Sequence, residues 1–365
     1  MLVSAVSARP LRSLAAVEVE LSDGITAILG ENGSGKTNLL EALYFALTGR
    51  SFRTSDRREL IPFSGTIGRA QATVVDDDGA ERHFLASVSR AEGRRHLLDG
   101  SAVDSATAAR NRPPVAVFAP DRLALVKGPP AERRAHLDLF ASARWPSRAG
   151  LRQRYGQALA QRNALLQRVA GGRGAEADLD SWDAAVAEAA APLIASRAEA
   201  IAEVSPFFTE AAADLGFDFE ASLAYAPRAE GSAAELRSGL AERRQGDLGL
   251  GRTSWGPHLD EIRICLDGRL LRRYGSQGQQ RLALLALLFA ERESLLRSRG
   301  SPPLMLLDDV MSELDETRRE RLSTRLESDG QALLTATEEA SVPARLRATA
   351  LWMPAAARRP RAAAA

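Results

Sequence analysis

The segment GENGSGKT, Gly30 to Thr37, constrains the fold of this chain more than any other feature of the sequence. It matches the pattern G-x-x-x-x-G-K-[ST], follows an apolar, strand-like run that ends at Leu29, and precedes the segment NLLEALYFALTG. Leucine and alanine recur in that segment at helical spacing, and Gly49 is placed to end the helix. A strand, a glycine-rich turn and a helix in this order predict a phosphate-binding loop.

The residue types of this loop indicate which ligand it takes. Glycines let the backbone fold around phosphates, and the N–H groups at a helix N-terminus point toward an anion. We expect the Lys36 ammonium to reach the β- and γ-phosphates and the Thr37 hydroxyl to bind Mg²⁺, so the predicted cofactors are ATP and Mg²⁺. The predicted nucleotide-binding residues of the loop are Gly30, Glu31, Asn32, Gly33, Ser34, Gly35, Lys36, Thr37 and Asn38.

Lysine is almost absent from the sequence. Of 48 basic residues only Lys36 and Lys127 are lysines, so a retained lysine indicates a position where the wider guanidinium fork cannot replace a compact ammonium. Lys127 lies in LVKGPPAERR, close to Arg133 and Arg134. We therefore predict a phosphate contact there, to DNA or to nucleotide, with a structural ion pair as the alternative.

A second apolar run, Leu304 to Leu307, is followed directly by Asp308 and Asp309. Its length and composition predict a short buried strand. In ATPases with a phosphate-binding loop, the first such carboxylate holds the magnesium ion and the next can polarise the attacking water. Asp308 is therefore predicted to bind the metal with Thr37, and Lys36, Asp308 and Asp309 form the predicted catalytic set. The alternative is an ordinary strand followed by a solvated acidic turn.

The two halves of this predicted site are separated by most of the chain. Small GTPases read guanine with an Asn/Thr-Lys-x-Asp motif, but the two lysines are followed by Thr-Asn and Gly-Pro, which excludes that type of GTP recognition. The long separation instead resembles the ABC ATPase superfamily, including its SMC-like branch.

The segment YGSQGQQRL, residues 274–282, leads into an apolar helix. Ser276 is predicted to be its N-cap, Gly278 to permit close backbone approach, and Gln277, Gln279 and Gln280 to offer side-chain donors. In ABC-type ATPases a segment of this kind binds the γ-phosphate held by another subunit. The resemblance thus implies that Ser276, Gln277, Gly278 and Gln279 complete the nucleotide site of a second copy. The alternative is a capped amphipathic helix with a polar start.

Several segments together resemble one family within that superfamily, the RecF family of bacterial recombination-repair ATPases. They are ENGSGKTNLLEALYFALTGRSFRTSDRRELI, FAPDRLALVKGPPAERRAHLD, GPHLDEIRICLDGRLLRRYGSQGQQRLALLAL and PPLMLLDDVMSELDETRR. The resemblance implies an ATP-driven homodimer that clamps duplex DNA and single-strand/duplex junctions at gaps and stalled forks. It also implies weak, DNA-stimulated ATPase activity, loading of RecA with RecO and RecR, and a part in the SOS response. Leu259 stands where the family usually has arginine.

The fold implied is α/β: an ABC-type ATPase head, with mixed sheets around the helix of the phosphate-binding loop, and an inserted, mostly helical second lobe. We predict an ATPase lobe over 1–115 and 300–350, and a helical lobe over 116–299 that contains the 274–282 segment. Within that lobe, two apolar stripes separated by GGRG predict an antiparallel helical arm over about 150–214. Gly231 to Gly251 are predicted to form a return linker, and 351–365 a disordered tail.

The overall charge bounds where DNA could bind. The net charge is only +1 and the isoelectric point about 8.0, so any DNA-binding surface must be local. The candidate DNA contacts are Arg50, Arg53, Arg57, Arg58, Lys127, Arg133 and Arg134, with a second cluster at Arg144, Arg148, Arg152 and Arg154. Such clusters are more often solvated surface.

No apolar run approaches the length of a membrane span, and the single cysteine fits a reducing compartment. We therefore expect a cytoplasmic, nucleoid-associated protein with no membrane partner. Two alternatives from other classes are the nucleotide-binding subunit of an ABC transporter and a nucleotide switch that binds only protein.

Overall fold

The computed structural model describes residues 1–300, 302–327 and 330–353. The chain divides into two compact units. The composite unit consists of Met1–Arg122 and Leu295–Ala365, and the central unit of Leu123–Ser294. With parallel and antiparallel sheets around helices, the structure confirms the predicted α/β class.

Two sheets form the composite unit. One is antiparallel, with the strand order β2-β1-β4-β5-β6-β7, and the other is parallel, with the order β14-β3-β13-β12-β8. The strands are Leu2–Ala8 (β1), Val17–Glu20 (β2), Ile25–Leu29 (β3), Ile67–Val75 (β4), Glu81–Ser89 (β5), Gly93–Leu98 (β6), Ser101–Ala102 (β7), Val115–Phe118 (β8), Leu304–Leu307 (β12), Ala332–Ala336 (β13) and Ala350–Trp352 (β14). Its helices are Lys36–Thr48 (α1), Ser105–Arg110 (α2) and Glu316–Glu327 (α11).

The core of this unit surrounds α1. Leu39 and Leu43 of α1 belong to the same buried cluster as Phe84 of the antiparallel sheet and Ile28 and Leu306 of the parallel sheet. As predicted, the helix ends at Gly49, which adopts a left-handed conformation with φ of 64°. Because α1 is packed against both sheets, the loop that precedes it is held at a fixed place.

The central unit is mainly helical. Its helices are Ala124–Lys127 (α3), Pro130–Arg144 (α4), Leu151–Ala170 (α5), Leu179–Asp214 (α6), Ala233–Glu242 (α7), Arg244–Leu250 (α8), Leu271–Tyr274 (α9) and Gln277–Arg299 (α10), the last of which continues beyond the unit boundary. A small sheet of order β11-β10-β9 consists of Ala221–Ala226 (β9), Glu261–Leu266 (β10) and Arg269–Leu270 (β11). The predicted helical pair corresponds to α5 and α6, which contact each other, with residues 171–174 in the turn between them.

Two buried arginines join the helices of the central unit. Arg162 of α5 donates from Nε to Asp183 (2.6 Å) and from Nη1 to Asp247 (2.7 Å). In the same way, Arg197 of α6 bonds to Asp138 (2.8 Å) and Asp260 (2.9 Å). Each guanidinium thus lies between two carboxylates inside the fold.

The prediction of a return linker over Gly231 to Gly251 is wrong, because α7 and α8 occupy most of it. Ser232 and Glu235 form a reciprocal capping box at the start of α7, and Leu236 and Leu240 are buried against α5 and α6. Capping and an i, i+4 apolar pair outweigh the glycine content of the segment.

The predicted start of the tail at residue 351 is also wrong. Residues 351 and 352 belong to β14, and Met353 donates its backbone N–H to the Leu29 carbonyl (2.7 Å). The rest of the predicted tail, 354–365, lies outside the described residues. In the described part of the chain, none of the helices is both long and apolar enough to cross a membrane.

Candidate nucleotide-binding site

The glycine-rich loop joins β3 to α1, and its backbone leaves little room for side chains. A Cβ at Gly30 would lie 2.7 Å from the Met353 carbonyl oxygen and 2.8 Å from the Ser34 hydroxyl. Gly33 and Gly35 have φ angles of 83° and 105°, in the left-handed region that glycine tolerates best. The loop therefore requires glycine for its geometry, as the motif predicts.

The side chain of Lys36 folds back into the loop. Its Nζ donates to the carbonyl oxygens of Gly30 (2.6 Å) and Glu31 (2.9 Å). Burial lowers the pKa of this ammonium, while the nearby Asp309 and Asp308 carboxylates act in the opposite direction. The positive charge is thus held inside the loop that the motif assigns to phosphates.

The structure brings the two halves of the predicted site together. The Thr37 hydroxyl, at the start of α1, lies 2.9 Å from both carboxylate oxygens of Asp308, which follows β12. Burial raises the pKa of Asp308, although hydrogen bonds from Thr335 and Thr37 oppose the shift. A cation next to this buried carboxylate would therefore stabilise its charged form.

Asp309 adopts a left-handed backbone conformation, with φ of 50°, that is uncommon outside glycine. Its backbone N–H donates to the Thr335 hydroxyl (2.9 Å). Among the described residues, its buried Oδ1 has no hydrogen-bond partner, and neither has the buried Oγ of Ser34 in the loop. Strain together with unpaired buried polar atoms is typical of a site that a ligand completes.

These residues fit a nucleotide with a divalent cation. Within the described chain, no three His, Cys, Asp or Glu residues cluster closely enough to hold a metal by themselves. A cation here would take oxygens from Thr37 and Asp308 and the others from phosphates and water, which is how Mg²⁺ is commonly bound with nucleotides.

Thr335 is a site residue that the sequence analysis missed. It lies one residue before the end of β13, is fully buried, and donates its hydroxyl to Asp308 Oδ1 at 2.8 Å. It therefore contacts both acidic residues, accepting from Asp309 and donating to Asp308. Its position near the end of an apolar strand was the available signal.

A second group of missed residues surrounds Glu41, which is fully buried on α1. Its carboxylate accepts from Arg12, at 2.9 Å from Nη2, and from the Ser51 hydroxyl (2.5 Å). Arg53 Nη1 lies 3.5 Å from Glu41 and donates to the Asn38 side chain at 3.1 Å. Two predicted ligand contacts, Arg53 and Asn38, thus bond to each other. A single carboxylate in an otherwise apolar helix was the sequence signal.

The start of α10 carries the predicted N-cap. Ser276 Oγ accepts from the backbone N–H of Gln279 (3.2 Å), whose side chain accepts from the Ser276 N–H (2.8 Å). This reciprocal capping box confirms the N-cap prediction. Ser276, Gln277 and Gly278 are exposed. Gln280 is buried and donates its side-chain amide to the Gly275 carbonyl at 3.0 Å, so this predicted donor is used within the chain.

The predicted DNA contacts separate into exposed and buried groups. Arg50, Arg58 and Lys127 are exposed, Arg57 is half-buried, and Lys127 forms no ion pair with any described residue. Arg133 is buried, donating to Glu261 (2.9 Å) and to the Gly128 carbonyl (2.9 Å), so its assignment to DNA is wrong. The half-buried Arg134 donates to the Asp260 carbonyl at 2.7 Å.

In the second predicted cluster, most arginines contact acidic side chains. Arg144 pairs with Glu203 and Arg148 with Glu199, and both guanidiniums lie over the Trp145 ring. Arg152 lies 3.9 Å from Asp138, whereas Arg154 is exposed. This cluster is therefore largely neutralised by its own unit.

The chain is similar to known proteins over nearly its whole length. The RecF/RecN/SMC N terminal domain family matches residues 2–350. The DNA replication and repair protein RecF of Anaeromyxobacter sp. (strain Fw109-5) is 39% identical over 350 residues, covering 93% of each chain. The protein of the same name from Streptomyces avermitilis is 36% identical over 377 residues, covering 96% of this chain and 97% of that one.

Solved structures agree with this similarity. The structure of the recombination mediator protein RecF-ATP in the RecFOR pathway matches with a TM-score of 0.84 at 27% identity, covering 94% of this chain and 93% of that one. An Smc head bound to the C-winged helix domain of ScpA shares the fold alone, at 18% identity and a TM-score of 0.57, with 96% and 94% coverage. This structural similarity agrees with the family match and with the similar sequences. The chain therefore belongs to the RecF family.

Proposed function

We propose that this protein is an ATP-dependent DNA-binding protein of recombinational repair. The observation that carries the proposal is the joining of the glycine-rich loop to Asp308 through Thr37, at 2.9 Å. Relatives named as DNA replication and repair proteins, and a similar RecF structure with ATP, support it.

Each residue of the site has a distinct part in the proposed ATP chemistry. Bound Mg²⁺ would neutralise charge on the β- and γ-phosphates. Thr37 and Asp308 hold the ion, and Lys36 exchanges its carbonyl partners for phosphate oxygens. Thr335 keeps the Asp308 carboxylate turned toward Thr37 through its 2.8 Å hydrogen bond. Asp309, whose Oδ1 accepts no hydrogen bond from the described residues, orients the attacking water.

The start of α10 supplies the second half of the proposed active site, in a second copy of the chain. The capping box uses the N–H of Gln279, but the N–H groups of Gln277 and Gly278 bond to no group of the described residues. Two free N–H groups at a helix N-terminus suit a phosphate. Ser276 fixes their direction, so ATP would join two copies, each closing the other's site.

The proposed cellular role follows the family. The homodimer clamps duplex DNA at gaps and stalled forks, including single-strand/duplex junctions, and works with RecO and RecR to load RecA. Slow, DNA-stimulated hydrolysis of ATP then reopens the clamp. The protein would act in the cytoplasm at the nucleoid and contribute to the SOS response.

Light scattering of the full chain with a short DNA duplex, with and without ATP, tests the proposal. Wild type should double in mass only with ATP. Lys36→Met should lose ATP binding, and Ser276→Arg should bind ATP as a monomer. An ATP-dependent Ser276→Arg dimer would contradict the role given to α10. A wild-type dimer that binds no DNA at low salt would instead favour the nucleotide switch that binds only protein. Copurification of the protein with membranes would favour the transporter subunit.

A further inference from the structure

Three guanidiniums lie around the C-terminal end of α1, opposite the end that carries the glycine-rich loop. Arg94 of β6 donates from Nη1 to the Gly49 carbonyl oxygen at 3.2 Å. Arg50 follows Gly49 and is exposed, and Arg57 opens the short 3₁₀ helix Arg57–Leu60. We term these three residues the α1 arginine cluster.

The members of the cluster repel one another. Burial, then Arg57, then Arg50, lower the pKa of Arg94, so both other guanidiniums are close enough to disfavour its charge. Within the described residues, no Asp or Glu oxygen lies within 4.0 Å of any of the three. The cluster is thus a local excess of positive charge.

The helix end balances only part of this charge. The C-terminus of a helix carries roughly half a negative charge, and the last turn of α1 contains no basic residue of its own. The guanidinium of Arg94, bonded to the Gly49 carbonyl, is enough to balance that partial negative charge. The other two guanidiniums have no acidic partner in the described parts of the chain, which favours an external anion.

Some other surface arginines of the composite unit do have acidic partners. Arg9 pairs with Glu18, Arg82 lies 3.2 Å from Asp76, and Arg95 lies 3.0 Å from Glu92. Arg95 directly follows Arg94 on β6, and successive strand residues point to opposite faces. Arg94 therefore differs from its neighbour Arg95, since no described acidic residue pairs with it.

We propose that Arg50, Arg57 and Arg94 form a binding site for the backbone phosphates of DNA. The inference rests on the proposed function and gives its DNA-binding activity a place. Guanidiniums suit phosphate oxygens, and an exposed cluster fits a polymer backbone better than a small ligand. The helix of 13 residues also separates the cluster from the nucleotide loop by about 20 Å.

The test is the salt dependence of DNA affinity for the full chain with ATP, measured by anisotropy of a labelled duplex over a series of salt concentrations. Each phosphate contact contributes about 0.9 to the slope of log K against log salt. Changing Arg50, Arg57 and Arg94 together to Gln should reduce the slope by about 2.7. Single Arg50→Gln and Arg57→Gln variants, at positions outside the core, should each reduce it by about 0.9.

The matched control changes three paired arginines of the same unit, Arg9, Arg82 and Arg95, to Gln, which removes the same net charge. Its slope should equal that of wild type. If wild type binds DNA but the single and triple cluster variants keep its slope, this inference alone is overturned. If wild type binds no DNA, the proposed function fails as well. Fluorescent-ATP binding by each variant reports whether the fold is intact.

Discussion

The nucleotide site of the composite unit and the buried ion pairs of the central unit place charge inside the protein in opposite ways. Around Arg162, Asp183 and Asp247 lie within 2.7 Å of its guanidinium, and Arg244 lies 2.6 Å from Asp183, so two cations pair with two carboxylates. Around Asp308, burial raises the carboxyl pKa, and Asp309 Oδ1 lacks a partner among the described residues. The first arrangement stabilises the fold, whereas the second leaves acceptor oxygens for the ligand that we propose.

The largest expected effect comes from breaking the paired arrangement. Arg162→Leu leaves the buried Asp247 without its cation and Asp183 with Arg244 alone, which should destabilise the protein by about 3–5 kcal/mol. Urea unfolding followed by tryptophan fluorescence measures the change. The control Arg168→Leu, at an exposed position on the same helix, should stay within about 0.5 kcal/mol of wild type. A loss below about 1 kcal/mol for Arg162→Leu would contradict the structural role of the pair.

A smaller loss is expected at the glycine-rich loop. Gly30→Ala places a Cβ 2.7 Å from the Met353 carbonyl oxygen, so the loop or β14 must move. We expect a stability loss of about 1–3 kcal/mol and much weaker binding of fluorescent ATP. Gly24→Ala, just before the same strand and with no atom within 4 Å of the new Cβ, should behave like wild type. Normal ATP binding by Gly30→Ala would show that the loop does not need this close approach.

The capping box of α10 should contribute less to the free energy of unfolding. Ser276→Ala removes the acceptor for the Gln279 N–H and should cost about 1 kcal/mol in unfolding experiments. Ser276→Thr, which keeps a hydroxyl, should restore most of that loss and also the ATP-dependent dimer. A Thr variant that is stable but monomeric with ATP would separate the cap from the dimer contact.

The smallest expected change is a gain in stability, from a substitution of Asp308. The folded-state pKa of Asp308 lies above its unfolded value, so in the pH range between the two the folded state binds more protons. The contribution of Asp308 to stability is therefore greatest at low pH and falls as pH rises through the folded pKa. Above that pH, Asp308→Asn should raise the melting temperature of the ligand-free protein.

The same substitution should abolish the additional stabilisation that Mg²⁺ and ATP give to wild type. Asp309→Asn, next to it in sequence, should retain binding but lose hydrolysis. A ligand-free Asp308→Asn protein that melts below wild type at neutral pH would show that its carboxylate is already well paired.

Local patterns predicted much of this structure. The loop with β3 and α1, the strand before Asp308, the helical pair and the N-cap Ser276 depend on neighbours within a few residues, and the structure has all of them. Errors arose where distant residues decide the outcome. Arg133 bonds to Glu261, which is 128 residues away in the sequence. Thr335, on β13, bonds to Asp308 at the end of the neighbouring strand β12. The prediction of a linker at α7 and α8 was wrong because it used composition alone. These helices are stabilised by packing against α5 and α6, which are distant in the sequence.

The central claim is that the α10 segment of one copy completes the nucleotide site of another. Equimolar mixing of Lys36→Met and Ser276→Arg tests it most directly, with ATP-dependent mass measured by light scattering. Each variant alone should stay monomeric. In the mixture, the intact loop of Ser276→Arg meets the intact α10 segment of Lys36→Met, so heterodimers with one complete site should form and hydrolyse ATP. A mixture that remains monomeric and inactive, like its separate components, would contradict the claim.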